Sequence, residues 1–184
     1  MAADGFLRIA ITQPEPPEDE SRRVTRLLDS GRFDIVHLRH PGASWREMRA
    51  IIEEIPGRLH RQLRLHGHFD LAAEFNLGGL HLNGRCPEPP AFYSGPLSRS
   101  CHSVDEVLAA RGFDYVTLSP IFDSVSKAGY RAAFTSTDLS RLAVAGDIPR
   151  IIALGGVTPE KLPSLDRCIF GGYAMLGAVG WELL

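Results

Sequence analysis

The sequence predicts a (β/α)8 barrel formed by residues 1–184 as a single domain, in a short variant with a reduced helix after the fourth strand. Eight short β-rich segments alternate with segments of helical character, which favours parallel strands joined by right-handed crossovers. The predicted strands are residues 7–12, 33–38, 62–66, 79–82, 97–101, 115–119, 150–154 and 168–170. A doubly wound open sheet is the alternative, but no glycine-rich turn follows the first strand.

Helices are predicted at residues 18–30, 44–55, 69–76, 104–111, 137–145, 159–162 and 173–183. Ser44 and Ser103 each have a glutamate three residues later, Glu47 and Glu106, which is the pattern of a capping box. Residues 83–96 contain four prolines, and proline is not tolerated in a helix interior. This segment therefore predicts the reduced helix, which fits a chain shorter than the usual barrel of about 250 residues.

The composition excludes several classes of partner. A formal charge of −2 gives no electrostatic reason to bind nucleic acid or an anionic membrane. No apolar run approaches the roughly 20 residues of a membrane span, and the first residues do not resemble a signal peptide. The three cysteines, Cys86, Cys101 and Cys168, lack metal-ligand spacing and are expected to be reduced thiols. We expect a soluble cytoplasmic protein that acts on a small molecule.

Histidines cluster where a barrel carries its active site. Six of the seven lie at or just after the carboxyl ends of predicted strands: His37, His40, His66, His68, His81 and His102. Alternation along the second strand turns His37 and Arg39 toward the mouth of the barrel. A metal-dependent hydrolase built on His66, His68 and His81 is an alternative, but no acidic ligand follows the eighth strand. We therefore assign no metal ligands, and the roles of His40, His66 and His68 stay open.

Two glycine pairs predict a phosphate site. Gly155 and Gly156 follow the seventh predicted strand, and Gly171 and Gly172 follow the eighth. Glycine lets the backbone approach a ligand closely, and barrels often bind phosphate between these two loops. The polar segment after the sixth strand, residues 119–130, would by itself be a solvated loop.

Six motifs in order resemble the thiamine phosphate synthase/TenI family of (β/α)8 barrels: VHLRHP (36–41), FDLAAEFNLGGLHL (69–82), SRSCHSVDEV (98–107), DYVTLSPIFDSVSKAGY (114–130), IIALGGVTPEKL (151–162) and GGYAMLGAV (171–179). The resemblance implies a role in thiamine metabolism and a phosphorylated thiazole or thiamine-related ligand. It also implies that Ser124, Ser126 and Lys127 cover the ligand phosphate, with Gly129 as a hinge.

The family has two activities, and the departures of this chain from each are informative. Synthases join a pyrimidine diphosphate to a thiazole phosphate and hold the leaving pyrophosphate with Mg²⁺. By the resemblance, Gly67 and Cys86 stand where synthases carry their two magnesium-binding aspartates. The strand-two motif keeps Arg39 but has His37 and Pro41 in place of glutamine and lysine. No cofactor is therefore expected, and Mg²⁺ is expected only if the chain is a synthase.

TenI-type members, which aromatise a thiazole carboxylate phosphate without metal, have an essential histidine in a Ser-x-His-Ser stretch. Here this stretch is residues 100–103, with His102 in the histidine position. Histidine can take and return a proton near neutral pH. The leading interpretation is therefore a thiazole tautomerase in which His102 moves the proton. Arg39 and His37 would hold the substrate carboxylate, and His81 would join the phosphate-binding set.

Two alternatives remain. A thiamine phosphate synthase would use the same loops and Arg39, and a non-catalytic relative would bind a thiamine-related phosphate without turnover. A homodimer is possible, with the predicted helix at 173–183 as a contact face.

Overall fold

A closed barrel of eight parallel strands forms the centre of the protein. The computed structural model describes residues 5–123 and 133–181. The strands are β1 (Leu7–Ile11), β2 (Ile35–Leu38), β3 (Leu63–Leu65), β4 (Gly79–Leu82), β5 (Leu97–Cys101), β6 (Tyr115–Leu118), β7 (Arg150–Ala153) and β8 (Phe170–Met175). Ile9 of β1 is paired with Ile35 of β2 on one side and with Ala174 of β8 on the other, which closes the ring. The predicted fold class is confirmed.

Five α-helices surround the barrel in the described part of the chain: α1 (Glu20–Asp29), α2 (Trp45–Glu54), α3 (Asp70–Glu74), α4 (Val104–Ala109) and α5 (Ser136–Ala143). Short 3-10 helices at Gly57–Gln62 and Pro159–Ser164 complete the connections. Residues 83–96 contain no helix, as their prolines predict. Among the described residues, no helix is both long enough and apolar enough to cross a bilayer.

The helix starts follow the predicted capping chemistry. Ser44 and Glu47 form a reciprocal capping box at α2. The Ser103 hydroxyl accepts a hydrogen bond from the Glu106 backbone N–H at α4. The Glu106 carboxylate instead accepts from the backbone N–H of His102, 2.8 Å away. The cap of α4 therefore also fixes the backbone of His102.

Two hydrophobic layers hold the fold together. The larger lies between the outer face of the strands and the helices, and includes Val36, Leu65 and Val116. The smaller lies inside the barrel and includes Ile9 and Ile152. Each buried aliphatic side chain contributes about 1.5–3 kcal/mol by its removal from water. Part of the barrel interior is polar, however, and the buried side chains there include His37, Arg64, His81, Ser98 and Thr117.

The last predicted helix, at residues 173–183, is wrong, because the described residues 173–181 contain no α-helix: residues 173–175 are strand and residues 176–179 form bends and turns. Residues 170–175 form β8, so the predicted strand at 168–170 is placed too early. The cause is the glycine pair Gly171 and Gly172, which looks like a turn in the sequence but lies within the strand. A helical dimer face beginning at Tyr173 therefore has no structural basis, since Tyr173 pairs with Arg8 of β1.

Candidate active site

A cavity of about 1260 Å³ opens at the carboxyl ends of the strands. Strand ends and the loops after β2, β3, β4, β7 and β8 all contribute to its lining. A barrel positions these groups together because all eight parallel strands point the same way. The volume is sufficient for a ligand with more than one ring or phosphate group.

The lining of this cavity is cationic and imidazole-rich. No aspartate or glutamate belongs to it among the described residues. Two arginines do, Arg39 and Arg85, and burial together with the charge of Arg85 lowers the pKa of Arg39. The lining also contains five histidines: His40, His66, His68, His81 and His102. Such a surface favours an anionic ligand, because no protein carboxylate competes for the guanidinium groups.

His37 lies below the cavity floor and is fully buried, so the prediction that it faces the mouth is wrong. Its Nδ1 is 2.9 Å from Nε2 of His66, and its Nε2 is 2.6 Å from the hydroxyl of Tyr115. The His37 side chain points into the barrel, as strand alternation predicts, but it lies one side-chain layer below the residues that line the cavity. His37 can therefore reach a ligand only through His66.

His81 completes this group of three imidazoles from adjacent strands. Its Nδ1 and Nε2 lie 3.0 Å from the hydroxyls of Ser98 and Ser100, respectively. The Ser98 hydroxyl donates to the carbonyl of Leu80, so it accepts from His81 Nδ1–H. This tautomer leaves a lone pair on Nε2 at the edge of the cavity.

Burial keeps these three histidines uncharged. Desolvation lowers the pKa of His37 and His66 well below the ordinary value and lowers the pKa of His81 to about 3. The positive charge of Arg64 also lowers the pKa of His37 and His81, and the charge of Arg39 lowers the pKa of His66. At neutral pH the floor therefore presents neutral imidazoles.

A polar column continues from these histidines toward the opposite end of the barrel. The guanidinium of Arg64 lies over the ring of Tyr115, 4.6 Å from its centroid. It also forms a 2.6 Å ion pair with Asp114, whose side chain is about half exposed. Sequence reasoning missed Arg64 and Tyr115 as neighbours of the site. Arg64 is two residues before His66, and residues two apart face the same side of a strand. This spacing is the sequence signal that could have identified Arg64 as a neighbour of the site.

His102 lies at the rim of the cavity, as predicted, and its side chain is exposed. Its Nδ1 is 3.3 Å from the hydroxyl and 3.4 Å from the carbonyl oxygen of Ser119. The ring is thus loosely held and open to a ligand. Its catalytic role stays a prediction.

Gly155 and Gly156 also line the cavity, and both have positive φ, +88° and +63°. A Cβ on Gly156 would lie 2.4 Å from the carbonyl oxygen of Asp123, so this close approach requires glycine. Gly177, in the loop after β8, also lines the cavity. The binding of phosphate by these two loops stays a prediction.

Gly171 and Gly172 do not line this cavity, and their predicted position after the eighth strand is wrong. Gly172 pairs with Leu7, at the beginning of β1, which is the end of the barrel away from the mouth. The loop that does follow β8 contains Leu176, Gly177 and Ala178. The remaining members of the predicted phosphate set, Ser124, Ser126 and Lys127, and the hinge Gly129 lie outside the described residues.

The cavity lining does not fit Mg²⁺. Magnesium prefers hard oxygen ligands, usually including one or two carboxylates. Gly67 and Cys86 both line the cavity, and the described lining supplies imidazole, guanidinium, thiol, hydroxyl and amide groups but no carboxylate.

Comparisons with known proteins agree with the fold. The family profile described as thiamine monophosphate synthase matches residues 8–179. The thiamine-phosphate synthase of Methanoculleus marisnigri is 27% identical over 170 residues, covering 86% of this chain and 80% of that protein. The enzyme of the same name from Halalkalibacterium halodurans is 26% identical, covering 91% of this chain and 82% of that protein.

The solved structures include a similar barrel at higher identity. The crystal structure of thiamine phosphate pyrophosphorylase from Bacteroides thetaiotaomicron superimposes with a TM-score of 0.81 at 34% identity. The match covers 94% of this chain and 84% of that one. Both the sequence and the structural comparisons extend over nearly the whole barrel.

Proposed function

Because this chain belongs to the thiamine monophosphate synthase family, we propose that it joins a pyrimidine diphosphate to a thiazole phosphate within the described cavity. The names of its relatives support this reaction over the tautomerase that the motifs alone favour. One observation carries the proposal: two anion-receptive regions lie on opposite sides of the mouth. Arg39 and Arg85 follow β2 and β4, whereas the glycine loops follow β7 and β8.

Each region suits one substrate. The glycine loops would receive the single phosphate of the thiazole, because backbone N–H groups can approach an anion where no Cβ intervenes. Arg39 and Arg85 would receive the more highly charged diphosphate through charge-assisted hydrogen bonds. As the pyrophosphate leaves, its charge increases, and the two guanidinium groups oppose that increase.

Mg²⁺ supplies this charge in the synthases that use it, but the residues present here do not fit that ion. The protein itself would therefore provide the positive charge around the leaving group. The apolar part of the lining, including Ile11, Met48 and Met175, would exclude water from the bond being formed.

The direct test is to incubate the purified protein with both substrates and measure thiamine phosphate by chromatography. We expect product with added Mg²⁺ and also with a chelator. Arg85→Ala should lower kcat/KM for the diphosphate about 10- to 100-fold, as expected for losing one charged hydrogen bond. Arg46→Ala, on the exposed surface of α2, removes the same charge outside the cavity and should leave activity unchanged. No product above the enzyme-free control under either condition would reject the assignment.

A thiazole tautomerase is the second candidate, and His102 supports it. This ring lies at the rim of a cavity without carboxylates, near the Ser119 hydroxyl, where it could take and return a proton. The unaromatised thiazole carboxylate phosphate is the substrate to test. Loss of its conversion in His102→Ala, with conversion retained in His68→Ala, would establish this activity.

Tight binding of thiazole phosphate by calorimetry without turnover of either kind would indicate a non-catalytic relative.

A further inference from the structure

We propose that His37, His66 and His81 form a binding site for a divalent transition metal ion of the zinc class at the floor of the cavity. These residues belong to or directly follow the neighbouring strands β2, β3 and β4. One ring nitrogen from each lies within 4.8 Å of the other two, and no other such group of three occurs among the described residues. Three imidazoles with an open fourth position are a common arrangement for a reactive zinc ion.

The distances allow coordination after a small adjustment. Zinc–nitrogen bonds of about 2.0–2.1 Å in a tetrahedral site place ligand nitrogens about 3.3 Å apart. Here the closest pair, His37 Nδ1 and His66 Nε2, is 2.9 Å apart, and the widest separation is at most 4.8 Å. The ring centroids are 4.3–5.0 Å apart. Movements of about an ångström would bring the three nitrogens to a common ion, and the cavity above leaves room for a fourth ligand.

The hydrogen bonds around the three histidines hold their rings in orientations that suit metal binding. His81 carries its proton on Nδ1, held by Ser98, so its Nε2 lone pair accepts from the Ser100 hydroxyl, a hydrogen bond that a metal ion would replace. His37 can donate its Nε2–H to Tyr115, which frees Nδ1 as a ligand. His66 then donates its Nε2–H to His37 Nδ1, and to coordinate an ion through Nε2 it must take the other neutral tautomer, with its proton on Nδ1. Outer hydrogen bonds of this kind fix the orientation of histidine ligands in metal sites.

The guanidinium groups of Arg39 and Arg64 oppose a cation at this site, and the Asp114 carboxylate offsets part of the charge of Arg64. Arg64 lies below, paired with Asp114, and Arg39 lies above. Because the described part of the lining has no carboxylate, the ion would retain its full charge, and an anionic oxygen entering from the cavity would complete its coordination.

Metal titration without any thiamine substrate tests the site, so its outcome is independent of the proposed reaction. Cys168→Ser serves as the background, because this exposed thiol could bind metal at the surface. We expect one Zn²⁺ per chain by equilibrium dialysis, and a visible absorption band of tetrahedral Co²⁺ that Zn²⁺ displaces. Zn²⁺ should also raise the midpoint of thermal unfolding, since it binds the folded state preferentially.

His66→Gln and His81→Gln keep hydrogen-bonding capacity but remove the ring ligands. Each should weaken Zn²⁺ binding by more than about 100-fold, beyond the 10- to 100-fold typical of losing an outer partner. His102→Gln, which alters another histidine of the same cavity, should leave Zn²⁺ affinity unchanged. Absence of stoichiometric Zn²⁺, or equal binding by the parent protein and both variants, would overturn the proposal.

Discussion

Glu20 and His40 form a buried pair in the wall of the mouth, with 3.2 Å between Glu20 Oε1 and His40 Nε2. Their side chains are 4% and 0% exposed, respectively, and His40 also lines the cavity. The contact does not have hydrogen-bond geometry, and neither ring nitrogen of His40 has another hydrogen-bond partner among the described residues. The Glu20 carboxylate is therefore the polar neighbour of the His40 ring in this wall.

Replacing one member of this pair should lower the free energy of unfolding more than replacing both. Glu20→Leu leaves the His40 ring buried without a polar neighbour, at an expected cost of about 2 kcal/mol in the free energy of unfolding. Glu20→Leu combined with His40→Leu should recover most of that loss, because two apolar side chains replace the pair. Urea unfolding of the two single variants, the double variant and the parent gives the coupling energy. Additive costs would contradict a direct interaction.

Acid should destabilise the protein through the buried imidazoles. The folded state holds the pKa of His37, His66 and His81 below the unfolded value of about 6.5, so below that pH the unfolded chain binds more protons. Their stabilising effect is complete above pH 6.5 and decreases as pH falls toward the folded pKa, about 3 for His81. Each histidine contributes a loss of up to about 1.4 kcal/mol per pH unit in this window.

The matched variant for the acid prediction is His81→Gln, which cannot titrate but retains contacts to Ser98 and Ser100. Unfolding free energies measured between pH 7.5 and pH 4.5 should fall less steeply for this variant than for the parent. Parallel curves would show that His81 is protonated equally in the folded and unfolded states.

The loop after β7 should not tolerate a side chain at Gly156. Gly156→Ala requires an unfavourable positive φ and places a Cβ 2.4 Å from the backbone of Asp123, with an expected cost of about 1–3 kcal/mol. Gly57→Ala is the control, because no atom lies within 4 Å of its Cβ position and its φ is not positive. We expect that variant to be neutral or stabilised by up to about 1 kcal/mol. Thermal or urea unfolding distinguishes the two, and equal effects would contradict the strained geometry.

The two glycines of β8 should respond differently to alanine. A Cβ on Gly172 would lie 2.3 Å from the Leu7 carbonyl oxygen, so Gly172→Ala should cost about 1–3 kcal/mol by overpacking. The atoms nearest to a Cβ on Gly171 belong to the Arg150 side chain, with Cγ 2.5 Å away, so that side chain must change its rotamer and Gly171→Ala should cost about 0.5–1.5 kcal/mol. Calorimetry should give unchanged thiazole phosphate affinity in both folded variants. A large loss of affinity in either would restore a phosphate role for this pair.

Local patterns in the sequence predict most of the barrel but only part of the site. Apolar runs locate the strands, and Ser44 and Ser103 locate two helix starts, because both signals depend on residues close together in the chain. The glycine pair in β8 misleads because its cause is the approach of Leu7, which lies far away in sequence. The buried position of His37 also cannot be predicted from local sequence, because it depends on Tyr115, 78 residues later.

The polar column from Asp114 through Arg64, Tyr115 and His37 to His66 has a consequence for how the barrel assembles. Aliphatic side chains pack without directional contacts and would accept more than one alignment of neighbouring strands. A shift by a single residue in β2, β3 or β6 would turn one of these polar side chains to the opposite face of its strand. That alignment would leave buried donors and acceptors without partners, each costing about 1–3 kcal/mol. The same contacts that shape the cavity floor therefore select one strand alignment during folding.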